Sequence, residues 1–366
     1  MNPQIPLNSL LRHTADLQED LIRVSQEVIR SGYYVLGPQV EAFEAEFASY
    51  CGTAHCIGVA NGTDALELSL RALGVSARDK VAVIANAAMY STSAVLAAGA
   101  VPVFIDIGDD STMDPEALRR AAAADTLSAI VVTHLYGRLA DMTAILDVAE
   151  TFGIPVIEDC AQAHGARDEH GRAAGSFGTL GSFSFYPTKN LGALGDGGAV
   201  TTNDAQLAHR VRQLRQYGWG QKYTNELTGG RNSRLDELQA AMLRIMLPCL
   251  DGWNTRRREV ANRYSASIRH PDIAVPASGA AEYVAHLYVV RTERREDLRE
   301  HLTRLGIGTE VHYPIPDHQQ PSLGKTCANA ELERTVRDSA LVLSIPCFPE
   351  LTDAEVDRVV DACNGF

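Results

Sequence analysis

The sequence predicts an α/β chain: a doubly wound, mainly parallel sheet in a large first domain, followed by a smaller C-terminal α+β domain. Three observations carry this. From about residue 55, short apolar runs alternate with amphipathic stretches, the signature of successive βα units. One of these runs, Val156-Ile157-Glu158-Asp159, closes on a carboxylate, and ligands in such sheets bind beyond the carboxyl ends of the strands. After residue 230 the alternation gives way to longer helical texture.

Taken in order, Val81–Ala85, Val101–Ile107, Ala129–His134 and Pro155–Asp159 read as strands. Ser93–Ala98, Pro115–Ala124 and Met142–Phe152 read as the helices between them, with Asp114 before Pro115 as an N-cap and first-turn pair. Glu158 should face away from Asp159, because strand side chains alternate. Beyond residue 230, Ser233–Met246 and Asn254–Ile268 read as helices separated by Pro248 and Gly252, which sets the expected domains at 1–250 and 251–366. The second domain should hold strands at His286–Arg291 and Gly308–Tyr313 and helices at Arg295–Leu305, Glu331–Leu343 and Asp353–Ala362.

The 366 residues exceed the ~250–300 at which a single core stops growing, so two domains are expected. A net charge of −13 disfavours nucleic acid and anionic membrane surfaces as partners, so an anionic ligand needs a local basic cluster. The seven cysteines, Cys51, Cys56, Cys160, Cys249, Cys327, Cys347 and Cys363, are scattered and lack paired metal spacing, and read as reduced, mostly buried thiols. With no signal-peptide pattern at Met1–Pro6 and no apolar run near the ~18 residues that span a bilayer, a cytoplasmic protein is expected.

The chemistry concentrates at Lys189, in the run Phe183-Ser184-Phe185-Tyr186-Pro187-Thr188-Lys189-Asn190-Leu191-Gly192. A lysine in such apolar, proline- and glycine-bounded surroundings, preceded by Asp159-Cys160-Ala161-Gln162, has the makings of a pyridoxal phosphate site. The amine can condense with the cofactor aldehyde, and the aspartate can keep the pyridine nitrogen protonated. Asn61-Gly62-Thr63 opens a helix whose Leu66, Leu70 and Leu73 share a face, which makes its free amides a ready anion site. An ordinary capped turn has the same signature; with Lys189 in the chain, the cofactor phosphate is the favoured occupant. The glycine run Gly192–Gly198 is not a dinucleotide fingerprint, since the strand Ala199–Thr202 follows it where a helix is required, and it is assigned to positioning the lysine turn. His312-Tyr313-Pro314-Ile315-Pro316-Asp317-His318 reads as a stiff substrate-contacting loop, since no third ligand at metal spacing accompanies its two histidines; no metal is expected.

Together, Val59–Leu66, Glu158–Gly165, Ser184–Gly192, Gly195–Ala199 and Asn232–Ala240 resemble the DegT/DnrJ/EryC1/StrS sugar aminotransferase family, fold type I pyridoxal phosphate enzymes, over essentially the whole chain. The resemblance implies that Lys189 bonds the cofactor, Asp159 pairs with its ring nitrogen, Gln162 contacts its ring hydroxyl, and Gly62, Thr63 and Ser184 hold its phosphate. It implies a homodimer with shared sites, in which Asn232 reaches the partner's phosphate, and a substrate set of Tyr186, Lys222, Tyr223, Arg231, His312 and Tyr313. His134-Leu135-Tyr136-Gly137 and Gly306–Pro316 further resemble enzymes that aminate C3 of dTDP-3-keto-6-deoxyhexoses, with glutamate as donor. Amination of a 4-keto sugar nucleotide or keto-cyclitol, or a non-catalytic regulatory relative, are the alternatives; a 3-dehydrase of the same fold is disfavoured because those relatives replace the lysine. One departure stands out: where relatives stack an aromatic on the cofactor ring, this chain has Ala87-Ala88-Met89-Tyr90. Ala88 takes the stacking place but cannot stack, unless the alignment slips and Met89 or Tyr90 fills the gap.

Overall fold

The structure, a computed structural model, describes residues 4–326 and 332–366. Seven strands form one sheet: β1 (His55–Val59), β2 (Lys80–Ile84), β3 (Val101–Ile105), β4 (Ala129–Thr133), β5 (Val156–Asp159), β6 (Leu180–Ser184) and β7 (Gly198–Thr202), in the order β1-β7-β6-β5-β4-β2-β3. The strands β3, β2, β4, β5 and β6 run parallel, while β7 lies antiparallel to both β6 and β1. Alternation sorts the side chains onto two apolar layers. Val81, Val83, Ala129, Val131 and Ile157 pack with the helices 62–72, 90–97 and 205–214, whereas Ala82, Ile84, Ile130, Val132 and Val156 join the layer that continues into the C-terminal residues.

The helices expected at Pro115–Ala124 and Met142–Phe152 lie at those bounds, each N-capped by an aspartate, Asp114 and Asp141. Farther along, Leu247–Cys249 forms a 3-10 turn around Pro248, but Gly252 sits inside the helix Leu250–Ser267 and interrupts nothing. A hairpin of β8 (Trp219–Gln221) and β9 (Thr224–Asn225) stands off the sheet. In the C-terminal part β10 (Tyr288–Arg291) pairs antiparallel with β11 (Val342–Ile345). The helix expected at Glu331–Leu343 spans Glu333–Leu341, because Val342 and Leu343 leave it for β11; Glu331 and Cys327 lie outside the described residues. The strand expected at Gly308–Tyr313 is reduced to isolated bridges, Ile307 with Ile5 and Glu310 with Ser344. Beyond Glu310 the ring of His312 bonds Ser344 and its carbonyl bonds Tyr136, and two prolines follow, so no ladder continues.

The described free cysteines are buried, except the half-buried Cys249. No helix among the described residues is long and apolar enough to cross a membrane.

Glu158 and Asp159 engage different partners, as alternation requires. Glu158 is fully buried and accepts from the amides of Gly175 (2.9 Å), Phe177 (2.7 Å) and Gly178 (2.7 Å) and from His134 Nε2 (3.0 Å). The Ala140 amide donates to His134 Nδ1, which fixes the proton on Nε2. His134, Glu158 and Cys160 lie within metal-ligating distance of one another, yet these hydrogen bonds already occupy the imidazole and both carboxylate oxygens. The carboxylate instead ties the 175–178 segment beneath β5. Glu158→Gln turns an NH₂ toward buried donors and should cost about 3 kcal/mol of unfolding free energy. Urea denaturation checks this, and a wild-type midpoint would refute it.

Candidate active site

A cavity of about 670 Å³ opens at the carboxyl ends of the parallel strands, lined among others by Gly62, Thr63, Asp159, Gln162, Ser184, Tyr186, Lys189 and Tyr313. Each arrives from a different element. Asn61 caps the helix Gly62–Ala72, its Oδ1 accepting from the Asp64 amide at 2.8 Å, which leaves the first amides of that helix turned to the cavity. Gly62 is required by close approach, since a Cβ there would stand 2.6 Å from the Ser184 Cβ.

Asp159 ends β5 almost fully buried. Its Oδ2 accepts from Ser91 Oγ (3.1 Å) and Thr133 Oγ1 (3.4 Å), and its Oδ1 from the Ala161 amide (3.2 Å). These donors fix the carboxylate on the cavity wall. Gln162 Oε1 accepts from the Tyr136 amide at 2.6 Å, and its Nε2 donates to Tyr313 Oη at 3.1 Å.

Lys189 sits in a tight turn, its amide bonded to the Tyr186 carbonyl (2.8 Å). The next residue anchors that turn from below: Asn190 Oδ1 accepts from His286 Nδ1 (3.0 Å), and its Nδ2 donates to Asn254 Oδ1 (2.8 Å) and the Val284 carbonyl (3.1 Å). The Lys189 amine itself makes no hydrogen bond or ion pair with the described residues. Burial pushes its pKa down to about 8, opposed by the negative charge of Asp159. Burial and the lysine charge likewise push His164 to about 3 and His286 well below the usual imidazole range, so both imidazoles stay neutral.

The remaining expected residues do not line the cavity. Ala88 is turned away, and Ala87 and Tyr90 stand there instead. The reason is the backbone: Ala88 (φ 53°) and Met89 (φ 67°) are consecutive left-handed residues, each costing about 1–3 kcal/mol, and they redirect the chain before the helix Tyr90–Ala97. His312 points its ring at Ser344 (2.9 Å). Arg231 pairs with Glu67 and with Asp64 (3.3 Å), the latter a cavity-lining residue. Asn232, Lys222 and Tyr223 are exposed on and beside the β8–β9 hairpin. Ser91, Thr133, Asn190, His286 and Asp317 carry no sequence signal of their own, since each acts through a partner distant in the chain.

The donor set fits pyridoxal phosphate: an unpaired amine, a buried carboxylate on the same cavity, and helix N-terminal amides beside a glycine whose missing side chain leaves room. The sequence profile of the DegT/DnrJ/EryC1/StrS aminotransferase family matches residues 15–364. The chain belongs to this family. A dTDP-3-amino-3,4,6-trideoxy-alpha-D-glucose transaminase of Streptomyces venezuelae is 45% identical over 98% of this chain and 95% of its own length. A dTDP-3-amino-3,6-dideoxy-alpha-D-galactopyranose transaminase of Aneurinibacillus thermoaerophilus is 44% identical over 99% of both chains. The crystal structure of S. venezuelae DesV superposes with a TM-score of 0.95 at 44% identity, over 100% of this chain and 98% of the other. That of NtdA from Bacillus subtilis, which holds the cofactor PMP, gives 0.91 at 31% identity, over 98% and 84%. Like its family, this chain is a pyridoxal phosphate-dependent aminotransferase of the α/β class.

The lysine environment is directly measurable, because the chain has only four lysines: Lys80, Lys189, Lys222 and Lys325. In pulse acetylation of the apoprotein, labelling of Lys189 should rise with pH through a midpoint near 8, since the neutral amine is the reactive form. Asp159→Asn removes the charge that favours the ammonium and should move the midpoint lower still. A midpoint at the ordinary lysine value of 10.5 would mean that the amine is not desolvated.

Proposed function

We propose that this enzyme transfers the amino group of L-glutamate to a nucleotide-linked keto sugar, converting a dTDP-3-keto-6-deoxyhexose to the dTDP-3-amino-3,6-dideoxyhexose and releasing 2-oxoglutarate. The observation that carries the chemistry is the unpaired, desolvated Lys189 amine on one cavity with the buried, donor-bound Asp159. The sugar assignment draws on relatives 41–45% identical that are dTDP-3-amino-sugar transaminases.

When bound, pyridoxal phosphate supplies an aldehyde that takes up an amino group and a cationic ring that draws electrons from the carbon beside it. Lys189 Nζ would hold the cofactor through that aldehyde, and its free amine would take the proton from the donor's α-carbon. In the second half-reaction the same amine returns a proton to the sugar carbon that receives nitrogen. A pKa near 8 suits both directions, because the group gains and loses a proton close to neutral pH. Asp159 would hold the proton on the pyridine nitrogen, Gln162 would meet the ring hydroxyl, and Gly62, Thr63 and Ser184 would hold the phosphate. Tyr186 and Tyr313, which line the cavity, would border the sugar.

We further propose that the enzyme works as a cytoplasmic homodimer with shared sites, residues 1–250 holding the cofactor and 251–366 closing the substrate side. Support comes from apolar side chains left bare on the isolated chain: Leu11 is 85% exposed, Ile22 52% and Ile29 62%, and Tyr223 on the hairpin 78%. In this reading Asn232 reaches the partner's phosphate site, and Lys222, Tyr223 and Arg231 meet the anionic diphosphate, which the overall charge of −13 would otherwise repel.

A second reading has a relative behind it: a protein of Geobacillus stearothermophilus 40% identical to this chain is named a pleiotropic regulatory protein. Incubation with glutamate and a panel of 3-keto and 4-keto sugar nucleotides and keto-cyclitols separates the readings. Mass and NMR analysis should find nitrogen at C3 of a dTDP-6-deoxyhexose. A product aminated at C4, or on a cyclitol, would overturn the sugar assignment, and absence of 2-oxoglutarate with every acceptor would overturn the enzymatic one.

A further inference from the structure

Asp317 is fully buried, far in the chain from the residues it touches. Its Oδ1 accepts from the Met89 amide at 2.8 Å, its Oδ2 from Thr92 Oγ1 at 2.6 Å, and its own amide donates to the Ala85 carbonyl at 2.7 Å. These three bonds bracket residues 85–92, which contain the left-handed pair Ala88–Met89. Consecutive left-handed residues other than glycine persist only where surrounding structure fixes them, and here one carboxylate does so from outside the segment. Burial raises the Asp317 carboxyl pKa, and the bonds from Thr92 and Met89 oppose that rise.

What the turn accomplishes is visible in its next two residues. Ser91 donates to Asp159 at 3.1 Å. Tyr90 lines the cavity half-exposed, its ring 6.3 Å from that of Tyr313 and at 81° to it. Tyr313 and Asp317 lie on the same loop, and Tyr313 Oη accepts from Gln162. The loop therefore holds Tyr90 from two sides, by an edge-on ring contact and through the turn that presents it.

We propose that Asp317 is a positioning residue that locks the Ala88–Met89 turn so that Tyr90, not Ala88, supplies the aromatic wall against the cofactor ring. This rests on the cofactor reading of the cavity but not on the identity of the sugar.

The test uses pyridoxamine 5′-phosphate, which cannot condense with Lys189, titrated into apoprotein and followed by calorimetry. No sugar is needed, so the result is independent of the substrate assignment. Tyr90→Ala should weaken binding about three- to tenfold, the range of one aromatic contact, and Tyr90→Phe should restore it. Asp317→Asn and Thr92→Val should weaken it in the same direction, and combining either with Tyr90→Ala should add nothing to Tyr90→Ala alone. If Asp317→Asn does not fold, Thr92→Val, which severs the 2.6 Å bond at nearly constant volume, carries the test. Unchanged affinity in Tyr90→Ala, or losses that multiply in the double variants, would overturn the proposal; a merely structural role would lower the melting temperature without this non-additivity.

Discussion

The site depends on one electrostatic arrangement: a desolvated amine and a buried carboxylate line the same cavity, and no group among the described residues bridges them. Desolvation favours the neutral amine, while the Asp159 charge favours the ammonium, and the balance leaves Lys189 near 8. Much of the surrounding structure maintains that balance. Three donors keep the carboxylate aimed, Asn190 fixes the lysine turn, and the nearby histidines are buried and neutral, so no second cation competes.

The sheet supplies the geometry. In the parallel register Thr133 and Asp159 are paired across β4 and β5, which is how a strand-end hydroxyl comes to donate to the carboxylate. One residue earlier, Glu158 faces the opposite layer and gathers four donors, so adjacent acids face opposite sides: one ties down the 175–178 segment, the other lines the cavity. The same division recurs at the lysine turn, where Lys189 faces the cavity and Asn190 faces the C-terminal part.

Much of this was legible in the chain. The apolar runs gave β2 to β5 to within a residue or two, because buried parallel strands read as near-continuous β-branched segments. Lys189, Asp159, Gln162, Gly62 and Ser184 stood out by motif, and they meet on one cavity. Context decided what was not legible. Gly252 breaks no helix because a single glycine costs only about 1 kcal/mol against a well-packed face. The strand expected after Gly308 fails because His312 bonds elsewhere and prolines follow. Ala88 leaves the cavity because two left-handed residues turn the chain, which no pattern of residue types announces. Ser91 and Asp317 were silent for a simpler reason: their meaning lies in partners 68 and 228 positions away.

The central claim is that Lys189 is the amine that bonds the cofactor. Lys189 is desolvated and lines the cavity with Asp159. Borohydride reduction of the pyridoxal phosphate-loaded enzyme, followed by digestion and mass mapping, tests it most directly. The account predicts the reduced cofactor on the peptide containing Lys189 and no covalent adduct in Lys189→Ala; the cofactor on Lys80, Lys222 or Lys325 would contradict it.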